Sequence, residues 1–424
     1  MKPFRSALIS KYQHTPFVQR CLQIKHHIAG TRQTRGVHAY LYLYQMAQAF
    51  ETADHAAIHQ LADKLLQKGD PLGHLYLAKS HLLTDDNEQA KAALGRFLAE
   101  NPHHAEATYL LAEIYVRLSE KQAAWQCLQD LLAHSKRGKT WQHLSNLVDM
   151  PSEFERFCTL FASYFPDYQT KALPFDIASH LSNAATRAGD TGFALELWRR
   201  QYRLGEQVKN PQKSTASNQY TDEKAAAALA ALKQCLDHQQ VEFFLISGTL
   251  LGCIREGKLL GHDKDIDVGV WETHTVQDLA CIIRQSGCFY ILPIYSQDIL
   301  VARHVSGITI DIFIHHRDDG DYWHAGKKTK WHNTPFKLIN HNFLGDDYLI
   351  PQDYQLYLSE NYGFDWMIPK IDFDSSLDTP NVSILSKEEF IIYLYKKLLK
   401  PNKLSNNMLK KLFIELKKHE SDIV

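Results

Sequence analysis

What this chain lacks narrows its class before any motif is read. It has no stretch of roughly 18 or more uncharged apolar residues, so no membrane-spanning helix is expected. The start, Met1-Lys2-Pro3-Phe4-Arg5, is basic, but polar Gln13, His14 and Thr15 follow before any apolar core of signal-peptide length, and no secretory signal is expected. The seven cysteines, Cys21, Cys127, Cys158, Cys235, Cys253, Cys281 and Cys288, include no Cys-x-x-Cys pair. An odd set so scattered reads as reduced thiols of a cytoplasmic protein, with neither a disulfide framework nor a zinc site. Neither sign of charge is in excess: a formal net charge of -1 gives no global field for nucleic acid, which is not an expected partner.

At 424 residues the chain has room for two or three domains. In the N-terminal half a 34-residue offset relates Ala78 to Ala112, Leu82 to Val116, Ala90 to Ala124, Leu94 to Leu128 and Leu98 to Leu132. Small residues at helix crossings and Asn101-Pro102 closing one unit give a pattern that resembles tetratricopeptide repeats. An earlier pair from about Tyr40 to Lys68 fits with Ala56 in register with Ala90, and Asp176 to Tyr202 reads as a hairpin turning at Gly189-Asp190-Thr191-Gly192. Hairpins of this kind bury their apolar faces by stacking into a solenoid. A plain helical bundle is the alternative.

From Gly205 to Tyr220 apolar periodicity stops, as in a linker. Thr221, Glu223 and Lys224 then open an alanine-rich helix from Ala225 to His238. At the other end, Lys396, Lys397, Lys400, Lys403, Lys410, Lys411, Lys417 and Lys418 interleave with Leu398, Leu399, Leu409, Leu412, Phe413, Ile414 and Leu416. This basic amphipathic pattern suits an anionic membrane surface, a polyanionic polymer or a packed helix with a solvated face. The expected division is 1–204 helical repeats, 205–220 linker, 221–395 catalytic domain and 396–424 basic tail, with separable halves.

The chemistry concentrates between Ser247 and Trp271. Val241 to Ile246 is a short apolar, β-prone run that breaks into Ser247-Gly248-Thr249, as a buried strand does when it turns into a helix. Asp263, Asp265 and Asp267 alternate with Lys264 and Ile266 before Val268-Gly269-Val270-Trp271. A strand's period of two sets Asp265 and Asp267 on one face, with Asp263 at its entrance. Crowded carboxylates call for a hard divalent cation, Mg²⁺ or Mn²⁺. An EF-hand is excluded, because its sixth and twelfth positions would be Val268 and His274. A solvated acidic turn fits poorly with Ile266, Val268, Val270 and Trp271. Downstream, Asp311 is the one charge in the apolar core of the strand-like run Gly307 to His315 and should face a cation or metal, with a capped edge-strand aspartate as the alternative. His315-His316 beside Arg317 read as solvated hairpin residues, and Cys253 as a packing residue.

These residues resemble the LicD/fukutin-type nucleotidyltransferase-fold enzymes. Ser247-Gly248-Thr249-Leu250-Leu251-Gly252, then Arg255, Gly257 and Asp263 to Asp267, follow that family's signature in order. Ile350-Pro351, Tyr357-Leu358 and Tyr362-Gly363-Phe364-Asp365-Trp366 are similar to its later segment. The resemblance runs from about Asp237 to Lys370. Choline-transferring bacterial members tend to have Ile-Pro-Trp where this chain has Leu260-Gly261-His262, a departure towards the fukutin side of the family.

The resemblance implies an α+β multidomain protein, an N-terminal α-solenoid followed by an α/β nucleotidyltransferase-fold domain. It implies a metal-dependent transferase moving a phosphorylated alcohol, a polyol phosphate or phosphocholine, from a cytidine-diphosphate donor to a glycan hydroxyl. In that scheme Asp265, Asp267 and Asp311 form the catalytic and metal set, Asp263 stands behind them, and Ser247, Gly248, Thr249 and Arg255 bind phosphate. Tyr322, Trp323, Trp331 and Trp366 could furnish the aromatic cage that choline needs, or equally be core or sugar-stacking residues. Partners would be the donor, the glycan, a protein on the repeats and a membrane surface under the tail. Nucleotidyl transfer, or a scaffold with an inactive transferase-like domain, are the competing functions.

Overall fold

The computed structural model describes residues 15–31, 33, 35–205, 221–261, 265–370, 372–400 and 404–420. Its first half is helical: α1 Pro16–Ile28, α2 Val37–Glu51, α3 His55–Gln67, α4 Leu72–Leu83, α5 Asn87–Glu100, α6 Ala105–Arg117, α7 Lys121–His134, α8 Gly138–Ser145, α9 Pro151–Tyr164, α10 Phe175–Arg187 and α11 Thr191–Arg203. The turns between paired helices repeat one device. Ala53, Asp85, Ser119 and Gly189 take positive φ angles of 51°, 58°, 62° and 85°. The next residue of each turn, Asp54, Asp86, Glu120 and Asp190, donates its N–H to the carbonyl five residues back at 2.9, 2.9, 2.7 and 2.9 Å. Asp54, Asp86 and Asp190 then accept from the N–H of Ala57, Gln89 and Phe193. One residue thus closes the outgoing helix and the next caps the incoming one.

These turns fix the register of the repeats. Asp86 and Glu120 stand 34 residues apart, as expected, but Asp54 and Asp86 only 32, so the first hairpin is shorter. Ala56, expected in register with Ala90, is therefore exposed, and Ile58 is buried where Ala90 is in the next unit. Val116, expected to match Leu82, is 46% exposed while Ile114 fills the core. The expected linker lies outside the described residues from 206 to 220.

The second half opens with α12 Asp222–His238, capped by the Thr221 hydroxyl, and builds a ten-stranded mixed sheet. Its strands are β1 Phe243–Leu245, β2 Asp265–Trp271, β3 Phe289–Leu292, β4 Ile299–His304, β5 Thr309–Asp318, β6 Asp321–Ala325, β7 Thr329–Asn333, β8 Leu338–Phe343, β9 Asp346–Pro351 and β10 Val382–Ile384. The order is β10-β7-β6-β5-β2-β1-β9-β8, with β4 also on β5 and β3 on β4. Helices α13 Ser247–Glu256, α14 Val276–Arg284 and α15 Tyr354–Tyr362 connect strands, and α16 Lys387–Leu398 and α17 Asn406–Glu420 follow. Ile266, Val268, Ile310 and Ile312 fill the sheet core against Leu229, Leu232 and Leu236 of α12.

The two halves share their apolar cores. Phe390, Ile391 and Leu394 of α16 and Met408, Leu412 and Leu416 of α17 lie in one cluster with Trp141, Phe157, Leu181 and Trp198 of the helical half. Glu420 accepts from Arg199 at 3.0 Å and from the Tyr395 hydroxyl at 2.9 Å. Of residues 396–424, expected as a separate basic tail, 396–398 end α16 and 406–420 are the whole of α17, a packed helix with a solvated face as one of the three readings of the pattern has it; the division at 395/396 falls inside α16. The cause is spacing: Met408, Leu412 and Leu416 recur every four residues and form one buried face, leaving Lys410, Lys417 and Lys418 exposed. At the other end of the helical half, Tyr290 and Val305 from the β3–β4 side pack on the cluster of α2 to α5, and the His55 imidazole sits 2.8 Å from the Gly287 carbonyl oxygen.

A fragment of residues 216–424 is expected to aggregate or melt without a cooperative transition, because the apolar faces of α16 and α17 lose their cover. A monomeric fragment with a sharp calorimetric transition would sink that expectation. In the whole chain, Leu412→Ala should cost about 2–5 kcal/mol in a denaturant titration.

Candidate active site

The site begins where β1 ends. At Ser247 the chain takes φ 47°, a left-handed value that costs a non-glycine residue about 1–3 kcal/mol, and enters α13. Five residues on, Gly252 lies under the returning chain. A Cβ there would meet the Lys258 carbonyl oxygen at 2.7 Å and the Leu260 nitrogen at 3.1 Å, so only glycine lets the returning chain lie across α13. Gly257, at φ 64°, ends the helix and starts that return.

Strands β2 and β5 pair in parallel, in a register that opposes Asp265 to Thr309 and Asp267 to Asp311. Two carboxylates from distant parts of the sequence thereby become direct neighbours, with Asp265 one strand period away on the same face. Burial and the negative charge of Asp265 push the Asp311 carboxyl up to about 7. Asp265, Asp267 and Asp311 line a cavity of about 520 Å³ together with Ser247, Gly248 and Arg255. Asp263 lies outside the described residues.

Asp267 is knitted to the start of α13. Its carboxylate accepts from the Gly248 N–H at 3.3 Å, and its own N–H donates to the Thr249 hydroxyl at 2.8 Å. Thr249 is completely buried and is not among the residues that line the cavity. Its hydroxyl sets the position of Asp267. Arg255 borders the cavity; one terminal nitrogen donates to the Trp366 carbonyl at 3.3 Å and the other pairs with Glu256 at 3.0 Å, while its buried Nε has no hydrogen-bond partner.

Trp331 and Trp366 line the cavity, whereas Tyr322 packs against Trp271 and Phe336, and Trp323 stacks on His316 at 3.9 Å. Cys253 is buried, and burial pushes its thiol up to about 12, so it packs. His315, expected in solvent, is completely buried because β5 runs on to Asp318; desolvation drops its imidazole to about 3, and it stacks on His324 at 4.4 Å. No group of three or more His, Cys, Asp or Glu side chains among the described residues is arranged to hold a metal unaided.

Residues 240–351 match the family model described as LicD/FKTN/FKRP, nucleotidyltransferase domain, and residues 81–145 match a tetratricopeptide repeat model. The chain carries a LicD/FKTN/FKRP-type domain. Proteins similar to it include the ribitol-5-phosphate transferases FKTN of Macaca fascicularis, Homo sapiens and Mus musculus, each 25% identical over 205 residues. Each match covers 42% of this chain and 44% of the relative, so the chain spans less than half the length of these proteins.

The cavity also holds residues that sequence reasoning missed, several of them beyond the matched residues 240–351. His324, Asn361, Lys370 and Asp372 border it. Lys370 pairs with Asp365 at 2.7 Å and donates to the Tyr362 carbonyl at 2.5 Å, and Asp372 takes φ 62°. The available signal was the aromatic-rich stretch from Tyr362 to Lys370, which the family resemblance reached without assigning its lysine a role.

The Asp311 shift gives a pH prediction. Its folded pKa is raised, so the stability associated with the protonated carboxyl is full below about 4 and is lost as pH rises through about 7. Asp311→Asn should therefore raise the melting temperature at pH 8 in a chelating buffer, with the gain vanishing near pH 4. Equal melting of both proteins across that range would contradict the placement of Asp311 beside Asp265.

Proposed function

We propose that this protein transfers a phosphorylated alcohol, with a polyol phosphate such as ribitol or glycerol phosphate favoured over phosphocholine, from a cytidine-diphosphate donor to a hydroxyl of a cell-surface glycan. The observation that carries the proposal is the direct opposition of Asp267 and Asp311 across parallel strands, with Asp265 alongside, on the wall of a cavity that also presents Arg255. The names of the FKTN relatives, ribitol-5-phosphate transferases, agree with it.

The donor set fits a divalent ion. It is all oxygen, as Mg²⁺ or Mn²⁺ prefers, and the burial that disfavours ionised Asp311 would be offset by a cation. Mg²⁺ typically takes one or two carboxylates and completes its shell with substrate phosphate oxygens. Asp265 and Asp267, with Asp311, would hold it, and when bound it would neutralise charge on the diphosphate.

The remaining work falls to the chain. Arg255, fixed by Glu256 and the Trp366 carbonyl, directs positive charge at the donor phosphates. Trp331 and Trp366 pack against the donor's organic part. Asp311 accepts the proton of the attacking hydroxyl, whose oxygen bonds to the phosphorus of the transferred group while the bond to cytidine monophosphate breaks. Most of the catalysis is positioning and charge stabilisation. The repeats offer a docking face for a protein partner outside the surface that Tyr290 and Val305 occupy, and the protein works in the cytoplasm, peripheral to the membrane's inner face. The description "nucleotidyltransferase domain" favours a second function, attachment of the nucleotide itself to a small molecule or protein.

Incubation with cytidine-diphosphate ribitol, glycerol and choline and a surface glycan separates these functions: free cytidine monophosphate is expected from one donor, whereas a nucleotide retained on the acceptor overturns the transferase assignment. Asp265→Asn and Asp267→Asn should each slow turnover by ~10²-fold or more at saturating Mg²⁺, the scale of a lost electrostatic group. Arg255→Lys keeps the charge but cannot satisfy both Glu256 and the Trp366 carbonyl, so turnover should fall about tenfold or more. A fully active lysine variant would leave Arg255 as a purely structural ion pair.

A further inference from the structure

His324 stands in the middle of a pile of three rings at one end of the active cavity. Strand register opposes His315 of β5 to His324 of β6, and His324 to Trp331 of β7. The His324 ring stacks on His315 at 4.4 Å and 27° and on Trp331 at 5.1 Å and 16°, so both of its faces are covered. Gly269 of β2 seats the pile, since a Cβ there would meet the His315 ring at 2.9 Å. Only the edge of His324 is left to meet the cavity that it and Trp331 line. The residue is 2% exposed, and among the described residues neither of its ring nitrogens has a hydrogen bond. Nδ1 is sealed in the interior, which leaves Nε2 on the cavity side.

Desolvation, with the His315 and His332 rings adding to it, holds this imidazole well below its ordinary pKa. The ring is therefore neutral, with one N–H donor and one lone pair. A buried polar edge without a partner is costly, and a ligand in the cavity can supply the partner. A quaternary ammonium is a poor fit, because it needs open ring faces. His324 has none. Trp331 gives one face to His324 and its indole N–H to the Ser375 carbonyl at 3.1 Å, and it pairs with Val382 of β10 on its other side. Phe373 packs on Tyr362 at 5.2 Å, and Trp366 is a single ring, not a cage. A nucleobase likewise binds by lying on a ring face. A hydroxyl needs only the edge: it both donates and accepts, so it pairs with Nε2 in either tautomer. Asn361, Ser375 and Thr379 line the same cavity and add neutral polar groups.

Position sets the length of the arm. His315 lies four residues beyond Asp311 on β5, so His324 stands about 13 Å along the strand from the carboxylates. That span suits an extended polyol better than a short choline or glycerol arm. We infer that the His324 edge selects the transferred alcohol, hydrogen-bonding a hydroxyl of an extended polyol phosphate and offering a trimethylammonium group no surface. The inference rests on the transferase assignment and adds to it the residue that chooses the substrate.

Titration calorimetry of the full chain with Mg²⁺ and no acceptor reads this directly, with cytidine-diphosphate ribitol, cytidine-diphosphate choline and cytidine diphosphate as ligands. Wild type should bind the ribitol donor about tenfold or more tighter than the choline donor. His324→Phe keeps the stacking and loses both nitrogens, so its affinity for the ribitol donor should fall about tenfold, the scale of a hydrogen bond whose partner is left buried. Its affinity for the other two ligands should stay within about twofold. The variant should melt no lower than wild type, because the unpaired buried Nδ1 goes with the ring. Equal weakening of all three ligands would put the imidazole on the nucleotide, and unchanged affinity for the ribitol donor would make it a packing residue. Either result overturns the inference and leaves the transferase assignment standing. If wild type binds none of the three, the assignment itself fails and the inference falls with it. Should His324→Phe unfold, the wild-type preference decides: choline-donor binding as tight as ribitol-donor binding, or tighter, overturns the inference.

Discussion

The parallel pairing of β2 with β5 is the constraint on which the rest depends. Parallel strands need a long crossover, and here it carries α14, β3 and β4 before β5 comes in beside β2. The register puts two aspartates next to each other on one face, an arrangement a fold does not keep for stability, since like charges side by side oppose ionisation. Everything around the pair serves its placement. The Thr249 hydroxyl holds the backbone of Asp267, Gly252 lets the chain return across α13, and the apolar alternation Ile266, Val268, Ile310, Ile312 locks the strands against slipping by a residue.

The helical half is an integral wall of this enzyme-like body. Its last hairpins share an apolar cluster with α16 and α17, and its early hairpins meet the β3–β4 side of the sheet through Tyr290, Val305 and the contact of His55 with Gly287. A repeat array usually contacts only its own neighbours, so residues elsewhere in the chain that fill its surface change what it can offer to others.

How much could be read beforehand divides along physical lines. The Asp-x-Asp pattern, the strand around Asp311 and the break at Ser247 were legible because local periodicity and small-residue turns encode them. The hairpin turn at Gly189-Asp190 was legible for the same reason. The Ala56 register failed because the repeat length is set by turn hydrogen bonds at Asp54 and Asp86, not by a constant period. The boundary at 395/396 was misplaced, and the packed helix could not be chosen over a membrane or polymer contact, because an amphipathic pattern reports that a helix has an apolar face without saying what covers it. That the Thr249 hydroxyl holds the backbone of Asp267 was not legible, because a signature gives order along the chain while the partner of a hydroxyl is decided in three dimensions. Lys370 ended a stretch that the resemblance reached without giving the lysine a role, and His324 carried no local signal.

The shared cluster also has a bearing on how the chain is made. Trp141, Phe157, Leu181 and Trp198 emerge from the ribosome some two hundred residues before Phe390, Leu412 and Leu416, which complete their packing. Until then the helical hairpins present an unfinished apolar surface during synthesis, the condition under which nascent chains recruit chaperones or associate wrongly. Translation speed between Trp198 and Phe390 therefore bears on the yield of folded protein, since the cluster is complete only once α16 and α17 have been made.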